Sequence, residues 1–134
     1  MKIKEFINTI YLGDRWLKSI IVELVNSKVK LQVNLISRIR SEDGFWNYYN
    51  DENIEDGFIV FTDVESLEMS PQGVIPNDEI CDYEINIIND NVSEVIFYIG
   101  SYDKNNNYTE VKLRLVAGGI YLEDPKQPNK EIRD

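Results

Sequence analysis

Apolar and polar residues alternate along several segments of this chain, a pattern typical of β-strands that bury one face. The clearest example is segment 28–35, in which every second residue is apolar and the residues between them are polar. The same period of two recurs in segments 81–87 and 109–117. These three segments are therefore predicted to be strands with one dry face and one wet face.

Short turns between neighbouring apolar segments predict two hairpins. Asn26-Ser27 separates segments 17–25 and 28–37, which are expected to pair with each other. An asparagine-rich turn separates the apolar positions of 95–99 from segment 109–117. We expect these two segments to form a second, longer hairpin.

The first residues follow a different period. Ile3, Phe6, Ile7 and Ile10 recur at the spacing of an amphipathic helix, and Gly13 could provide the left-handed residue that ends it. The segment is short and rich in β-branched residues, so an edge strand is the alternative.

Counting these segments predicts a mainly β protein. Segments 58–61 and 64–69 add two short strands or one bent strand, and residues 120–122 add a last one. The chain offers no second helix for the crossovers that parallel strands need. We expect a single-domain antiparallel β-sandwich or twisted half-barrel of seven to eight strands, with one short N-terminal helix. Its β-rich domain spans 1–123, and the polar tail 124–134 is expected to fray.

Composition supports this fold and excludes several chemistries. The chain has one alanine, Ala117, against 18 isoleucines and 11 valines, which favours strands over helices, although codon usage in a low-GC genome would have the same effect. With no histidine and one cysteine, it cannot form a Cys/His catalytic pair, a structural zinc site of the usual kind or an intrachain disulfide. Cys81 lies among alternating apolar positions and is predicted to be a small buried residue. No membrane-spanning segment or targeting signal is recognised, so a cytoplasmic location is expected.

Charge is unevenly distributed along the chain. The formal net charge is −10, and residues 41–107 carry sixteen acidic residues and one lysine, whereas residues 1–40 have an excess of five positive charges. Such a chain repels nucleic acid and could attract a basic protein if the carboxylates gather on one surface. The alternative is an ordinary acidic surface that is neutralised by the basic residues 1–40.

Aromatic residues stand inside the most acidic segment. Phe45, Trp46, Tyr48 and Tyr49 occur within the polar segment 41–57. Large aromatic side chains with acidic neighbours are typical of an interface anchor and its charged rim. Alternatively, some of these aromatic residues fold back and close the end of the sheets. The residues predicted to bind a partner protein are Trp46, Tyr49, Asp51, Glu52, Glu55 and Asp56.

Motifs for catalysis and metal binding are missing from the sequence. Segment 51–57 has oxygen-bearing residues at alternate positions, but its glycine stands at loop position 7 instead of 6 and no glutamate stands at position 12. Segment 103–107 has the same alternate spacing and lacks both the glycine and the distal glutamate of an EF-hand. The phosphate-binding loop, the dinucleotide fingerprint and the serine-nucleophile motif do not occur. We expect no catalytic residues, no metal and no cofactor.

Several short motifs resemble a small bacterial family that is known as a domain of unknown function, over roughly residues 1–125. They are Gly13-Asp14-Arg15, Leu35-Ile36-Ser37-Arg38-Ile39-Arg40, Gly57-Phe58-Ile59-Val60-Phe61-Thr62-Asp63-Val64 and Val74-Ile75-Pro76-Asn77-Asp78-Glu79-Ile80. Their layout is also similar to some immunity proteins of bacterial polymorphic toxin systems. The motifs contain no catalytic residues, so the resemblance transfers no site.

The expected function is that of a non-enzymatic protein-binding module, of the immunity type that neutralises a basic toxin domain. The partner is expected to be a protein with a basic surface, and neither nucleic acid nor a membrane is expected to bind. The protein itself is expected to be a monomer or a homodimer. The alternative is a small-molecule or lipid-binding β protein.

Overall fold

The computed structural model describes residues 2–39 and 52–134, which form one short helix and eleven strands. The elements are α1 (Ile3–Ile7), β1 (Ile10–Tyr11), β2 (Leu17–Glu23), β3 (Lys28–Val33), β4 (Leu35–Arg38), β5 (Ile54–Glu55), β6 (Phe58–Thr62), β7 (Ser66–Ser70), β8 (Ile80–Asn89), β9 (Val92–Tyr102), β10 (Tyr108–Ala117) and β11 (Gly119–Glu123).

The strands form three sheets in which every pairing is antiparallel. One four-stranded sheet has the order β11-β6-β3-β2, the other has the order β7-β10-β9-β8, and a small sheet has the order β1-β4-β5. The predicted fold class, mainly β and antiparallel with one short N-terminal helix, is confirmed. The predicted number of strands is wrong, because two-residue strands such as β1 and β5 are too short to produce an alternating pattern in the sequence.

The first predicted hairpin is only partly correct. β2 pairs with β3 as expected, but residues 35–38 leave this hairpin and pair with β1 and β5. The change of sheet occurs at Asn34, whose side-chain oxygen accepts a hydrogen bond from the Trp16 amide and whose carbonyl accepts one from the Asp56 amide. The alternating pattern continues through this residue, so it gave no sign of the break.

The second predicted hairpin is confirmed and is the largest feature of the fold. β9 and β10 pair along their length, from Tyr108 opposite Tyr102 to Ala117 opposite Ser93. β7 pairs with the edge of β10 that is turned away from β9, and β8 pairs with the edge of β9 that is turned away from β10. β6 and β7 lie in different sheets, so segment 58–69 is two strands, and Asp63 between them has a positive φ of 49°.

Residues of both four-stranded sheets contribute to one hydrophobic core. Val29, Leu31 and Val33 of β3 point into it, as their alternation predicted. The rings of Phe61 and Phe97, one from each sheet, meet edge to face with centroids 6.3 Å apart. Burial of such branched and aromatic side chains is the main force that holds the sheets together.

The helix at the N-terminus is confirmed, but it is shorter than its pattern. Ile3, Phe6 and Ile7 are buried on one face of α1. The helix ends at Asn8, so Gly13 does not cap it, and Ile10 belongs to β1. Within the described residues no helix is long and apolar enough to span a lipid bilayer.

The carboxy-terminal segment is docked at its far end instead of fraying. Ile132 forms an isolated antiparallel bridge with Leu122, the fourth residue of β11. Its half-buried side chain packs against the core. The polar composition of segment 124–134 predicted fraying, because a single aliphatic residue in a polar segment gives little sign of docking.

Candidate protein-interaction surfaces

Three of the predicted partner-binding residues, Trp46, Tyr49 and Asp51, lie outside the described residues. The other three lie around β5. Glu55 is exposed on β5 opposite Leu35, and Glu52 lines a nearby cleft. The carboxylate of Asp56 forms a salt bridge with Lys18, at 2.7 Å. One of the predicted steering charges is therefore paired within the molecule.

The described carboxylates of residues 52–107 do not gather on one surface. Asp63, Glu65 and Asp90 line a cleft with Lys2, away from β5. Asp103 accepts hydrogen bonds from the amides of Asn105 and Asn107 in the turn between β9 and β10. A further group lies on the sheet β7-β10-β9-β8. The expected single electronegative surface is therefore replaced by several smaller ones.

The largest of these groups is on the outer face of the sheet β7-β10-β9-β8, the face turned away from the core. Residues that pair across antiparallel strands share a face, so the register defines its rows. Five carboxylates and two cations of strand residues lie on this face, which we call the outer acidic face. Its charged residues are Glu68, Asp82, Glu84, Glu94, Glu110, Lys112 and Arg114.

Hydrogen bonds hold part of the outer acidic face in one arrangement. The Asn86 amide donates to Glu84 at 3.2 Å and to Glu94 at 2.8 Å. The Tyr98 hydroxyl donates to the other oxygen of Glu84 at 2.9 Å, and Arg114 forms a salt bridge with Glu94. Ile96 lies between these residues and is only 4% exposed. The polar side chains thus form an ordered layer over a buried apolar residue.

This network affects the acidity of its members. The hydrogen bonds from Asn86 and Tyr98 lower the pKa of Glu84, and those from Asn86 and Arg114 lower the pKa of Glu94. The hydrogen bond to Glu84 raises the pKa of Tyr98. Each of these hydrogen bonds favours the charged carboxylate, so both glutamates stay ionised to a lower pH than a glutamate without such partners.

Two tyrosines lie at the end of this face, near the turn between β9 and β10. The ring centroids of Tyr102 and Tyr108 are 5.1 Å apart, and both residues are about half exposed. The Tyr108 hydroxyl lies 3.5 Å from the Cys81 sulfur, and this hydrogen bond raises the pKa of Tyr108 to about 12. Cys81 is exposed, so the prediction that it is buried is wrong. A bulge between Ile80 and Asp82 interrupts the alternation at this residue.

The outer face of the other four-stranded sheet has a balanced charge. Lys30 lies 3.3 Å from Glu123 and 3.6 Å from Glu23, and Lys28 donates to the Tyr121 hydroxyl. Burial acts to lower the pKa of Lys30, but the hydrogen bond and charge of Glu123 outweigh it, so this pKa is raised. Lys30 of the basic N-terminal region is thus paired with two glutamates of its own sheet.

A cleft of about 400 Å³ lies between residues 52–54 and the carboxy-terminal segment. Arg38 lines it and is 1% exposed. Its guanidinium lies over the Phe6 ring, 4.9 Å from the centroid, and donates to Thr9 and to the main-chain oxygen of Asp134. Within residues 2–39 and 52–134, no group of three or more acidic or cysteine side chains could hold a metal ion.

Sequence reasoning missed the outer acidic face. It identified the polar residues of β8 only as the wet side of a strand. The hydrogen bonds between Glu84, Asn86, Glu94 and Tyr98 link two strands, and their partners are decided by register. A prediction of which residues pair in β8 and β9 could have found them.

Comparison with known proteins gives a family and no function. One family model matches residues 1–134, and its description is "Family of unknown function (DUF6258)". The chain belongs to this family. The resemblance to a domain of unknown function is thereby confirmed, over the whole chain of this DUF6258 protein. It has no significant match among curated proteins or among solved structures.

Proposed function

We propose that this DUF6258 protein is a non-enzymatic, cytoplasmic protein-binding module of the immunity type, which covers a basic toxin domain. The observation that carries the proposal is the outer acidic face, where five carboxylates and two cations lie on one side of a four-stranded sheet. Complementary charge accelerates association and excludes partners of the wrong charge.

The order of this face supports the proposal. Glu84 and Glu94 are held by Asn86, Tyr98 and Arg114, so their side chains lose little further freedom when a partner binds. The half-exposed Tyr102 and Tyr108 add aromatic area of the kind that anchors interfaces. Trp46, Tyr49 and Asp51, together with Glu52 and Glu55, remain the second part of the proposed contact.

The proposal includes the way the two large sheets are arranged. We take them to pack face to face as a β-sandwich, supported by the contact of Phe61 with Phe97 and by their shared core. In such an arrangement the outer acidic face is a broad, rigid platform.

The test is co-expression with the catalytic domain of a secreted toxin that is encoded beside the gene of this protein. We expect the protein to rescue growth and to form a complex with the toxin domain in solution. The dissociation constant, measured by calorimetry, should rise at least about tenfold between low and high salt, since charges drive the association. The absence of a toxin gene beside the gene of this protein, or a toxin domain that does not bind, would overturn the immunity assignment.

Matched variants locate the contact. Glu84→Gln combined with Glu94→Gln should weaken the complex by about fivefold or more, because both ionic contacts are lost. Glu5→Gln combined with Glu65→Gln removes the same charge from a different cleft and should leave the affinity unchanged. Equal effects of the two double variants would remove the outer acidic face from the site.

A further inference from the structure

The edge of β11 is occupied by a segment of the same chain. β11 is the outermost strand of its sheet and has β6 on only one side. On its other side, the Leu122 amide donates to the Ile132 carbonyl at 2.8 Å, and the Ile132 amide donates to the Leu122 carbonyl at 2.9 Å. Ile132 therefore pairs with this edge as a residue of an added antiparallel strand would.

Side chains of this segment cover β11 as well. Ile132 packs against the core, and the Arg133 guanidinium lies over the Tyr121 ring, 5.0 Å from its centroid. Tyr121, Leu122 and Glu123 are each at most 9% exposed, although their strand is at the edge of a sheet. Edge strands with unpaired backbone groups attract other strands, and a covering segment prevents this.

The surface beside β11 that residues 132–134 cover is here called the β11 groove, and it extends to a buried cation. Beyond Ile132 the chain reaches Arg38, whose Nη1 donates to the main-chain oxygen of Asp134 at 3.3 Å. Arg38 is held in place by Phe6 and Thr9. The groove therefore offers three contacts to an extended segment: a backbone pair at Leu122, an aromatic face at Tyr121 and a guanidinium at Arg38.

The connection to this docked segment is exposed. Residues 125–131 lie at the surface. The backbone hydrogen bonds described for them close turns, as from the Lys130 amide to the Gln127 carbonyl. The described backbone hydrogen bonds between segment 132–134 and β11 involve Ile132 alone, so the segment can leave the groove while β11 stays paired with β6.

We propose that the β11 groove is a docking site for an extended segment of a partner protein, and that residues 132–134 occupy it in cis. The segment of the chain that fills the groove indicates the chemistry of the ligand: a branched aliphatic residue, followed by a basic residue, in a β-conformation. Binding of this kind, in which a partner adds a strand to a sheet edge, obtains affinity from main-chain bonds and specificity from alternate side chains. The site uses different residues from the outer acidic face and stands independently of it.

The experiment opens the groove with one substitution in the full chain. Ile132→Asp places a charge against the core and should release the segment, whereas Asn129→Asp adds the same charge at an exposed residue of the connection and serves as the matched control. The probe is a synthetic peptide with the sequence of residues 124–134, titrated into labelled protein and followed by amide NMR shifts.

We expect the Ile132→Asp protein to bind the peptide at least about tenfold tighter than the wild type, in which the intact segment competes for the groove. The shifts should centre on Leu122 and Tyr121. A peptide that itself carries Asp in place of Ile132 should bind about tenfold more weakly, since the apolar contact is lost. Equal binding of both peptides, or a dimer of the variant that excludes the peptide, would overturn the proposal.

Hydrogen exchange of the wild type tests the same proposal without a variant. The Leu122 amide bonds to the docked segment, whereas the Tyr121 amide faces β6, because successive amides of a strand point in opposite directions. The Leu122 amide should exchange at least about tenfold faster than that of Tyr121, through local release of the segment. Identical rates would mean that the segment opens only together with the strand, which contradicts the independent release that a partner needs to enter the groove.

Discussion

The hydroxyl of Thr9 accepts two hydrogen bonds from the guanidinium of Arg38, at 3.2 Å from Nε and 2.8 Å from Nη2. The same hydroxyl donates to the carbonyl of Phe6, at 2.6 Å. One small side chain thus links the end of α1 to a charge on β4 that is almost completely buried. A buried cation needs such partners, because its loss of hydration is otherwise uncompensated.

Replacing this hydroxyl should destabilise the protein. Thr9→Val keeps the shape of the side chain but leaves Arg38 without two of its hydrogen bonds, which should cost about 1–3 kcal/mol in the free energy of unfolding. Thr9→Ser retains the hydroxyl and is the matched control. Urea denaturation measures both, and a Thr9→Val protein as stable as Thr9→Ser would contradict the role of this contact.

Phe97 lies at the centre of the core, between Phe61 and Tyr83. Its truncation to alanine should lower the free energy of unfolding by about 3–5 kcal/mol, because it removes buried apolar area and leaves a cavity. Ile75→Ala, at a residue that is 75% exposed, should change stability by less than about 0.5 kcal/mol. Denaturant titrations of the two variants provide the comparison, and similar losses would contradict a large contribution of Phe97 to stability.

Asn86 should make the stability of the protein depend on pH. Its hydrogen bonds lower the pKa of both Glu84 and Glu94 in the folded state. A lowered folded pKa stabilises the fold above the unfolded value of about 4.3, and this contribution is lost as pH falls through the lowered pKa values. Asn86→Ala should therefore be less stable than the wild type at pH 7, and the difference should shrink at lower pH.

The control for this prediction is Asn129→Ala, at an exposed asparagine of the connection before Ile132. It should follow the wild type at every pH. Carboxyl NMR titration gives the two pKa values directly, and both should be higher in Asn86→Ala. If they stay at their wild-type values, the amide of Asn86 does not stabilise the ionised carboxylates.

The aromatic residues of the acidic segment supply a prediction for partner binding. Replacing Trp46 and Tyr49 by alanine should weaken the complex with the toxin domain by at least about 2 kcal/mol if they anchor the interface. Tyr48→Ala, at the neighbouring tyrosine, is the matched control. Calorimetry measures the change, and an unaltered affinity of the double variant would exclude Trp46 and Tyr49 from the site.

Local pattern predicted some elements of this fold well and others poorly. The alternation in β3 and β10 identified both strands and their buried faces, because the period of two is a property of the strand itself. Cys81 was misplaced because a bulge shifts the alternation by one residue. Asn34 continues an alternating pattern while the chain changes sheets, so only its tertiary hydrogen bonds mark the break.

The amino-acid sequence by itself determined that this protein is mainly β, antiparallel and strongly acidic, since these properties follow from side-chain period and composition. The tertiary structure decided which sheet each strand joins and which charges meet. Asn86 donates to Glu94 on the neighbouring strand, and Lys18 forms a salt bridge with Asp56. Arg38 donates to the main-chain oxygen of Asp134, which is far from it in the sequence. Such contacts depend on register and on the packing of distant segments, which a local pattern does not encode.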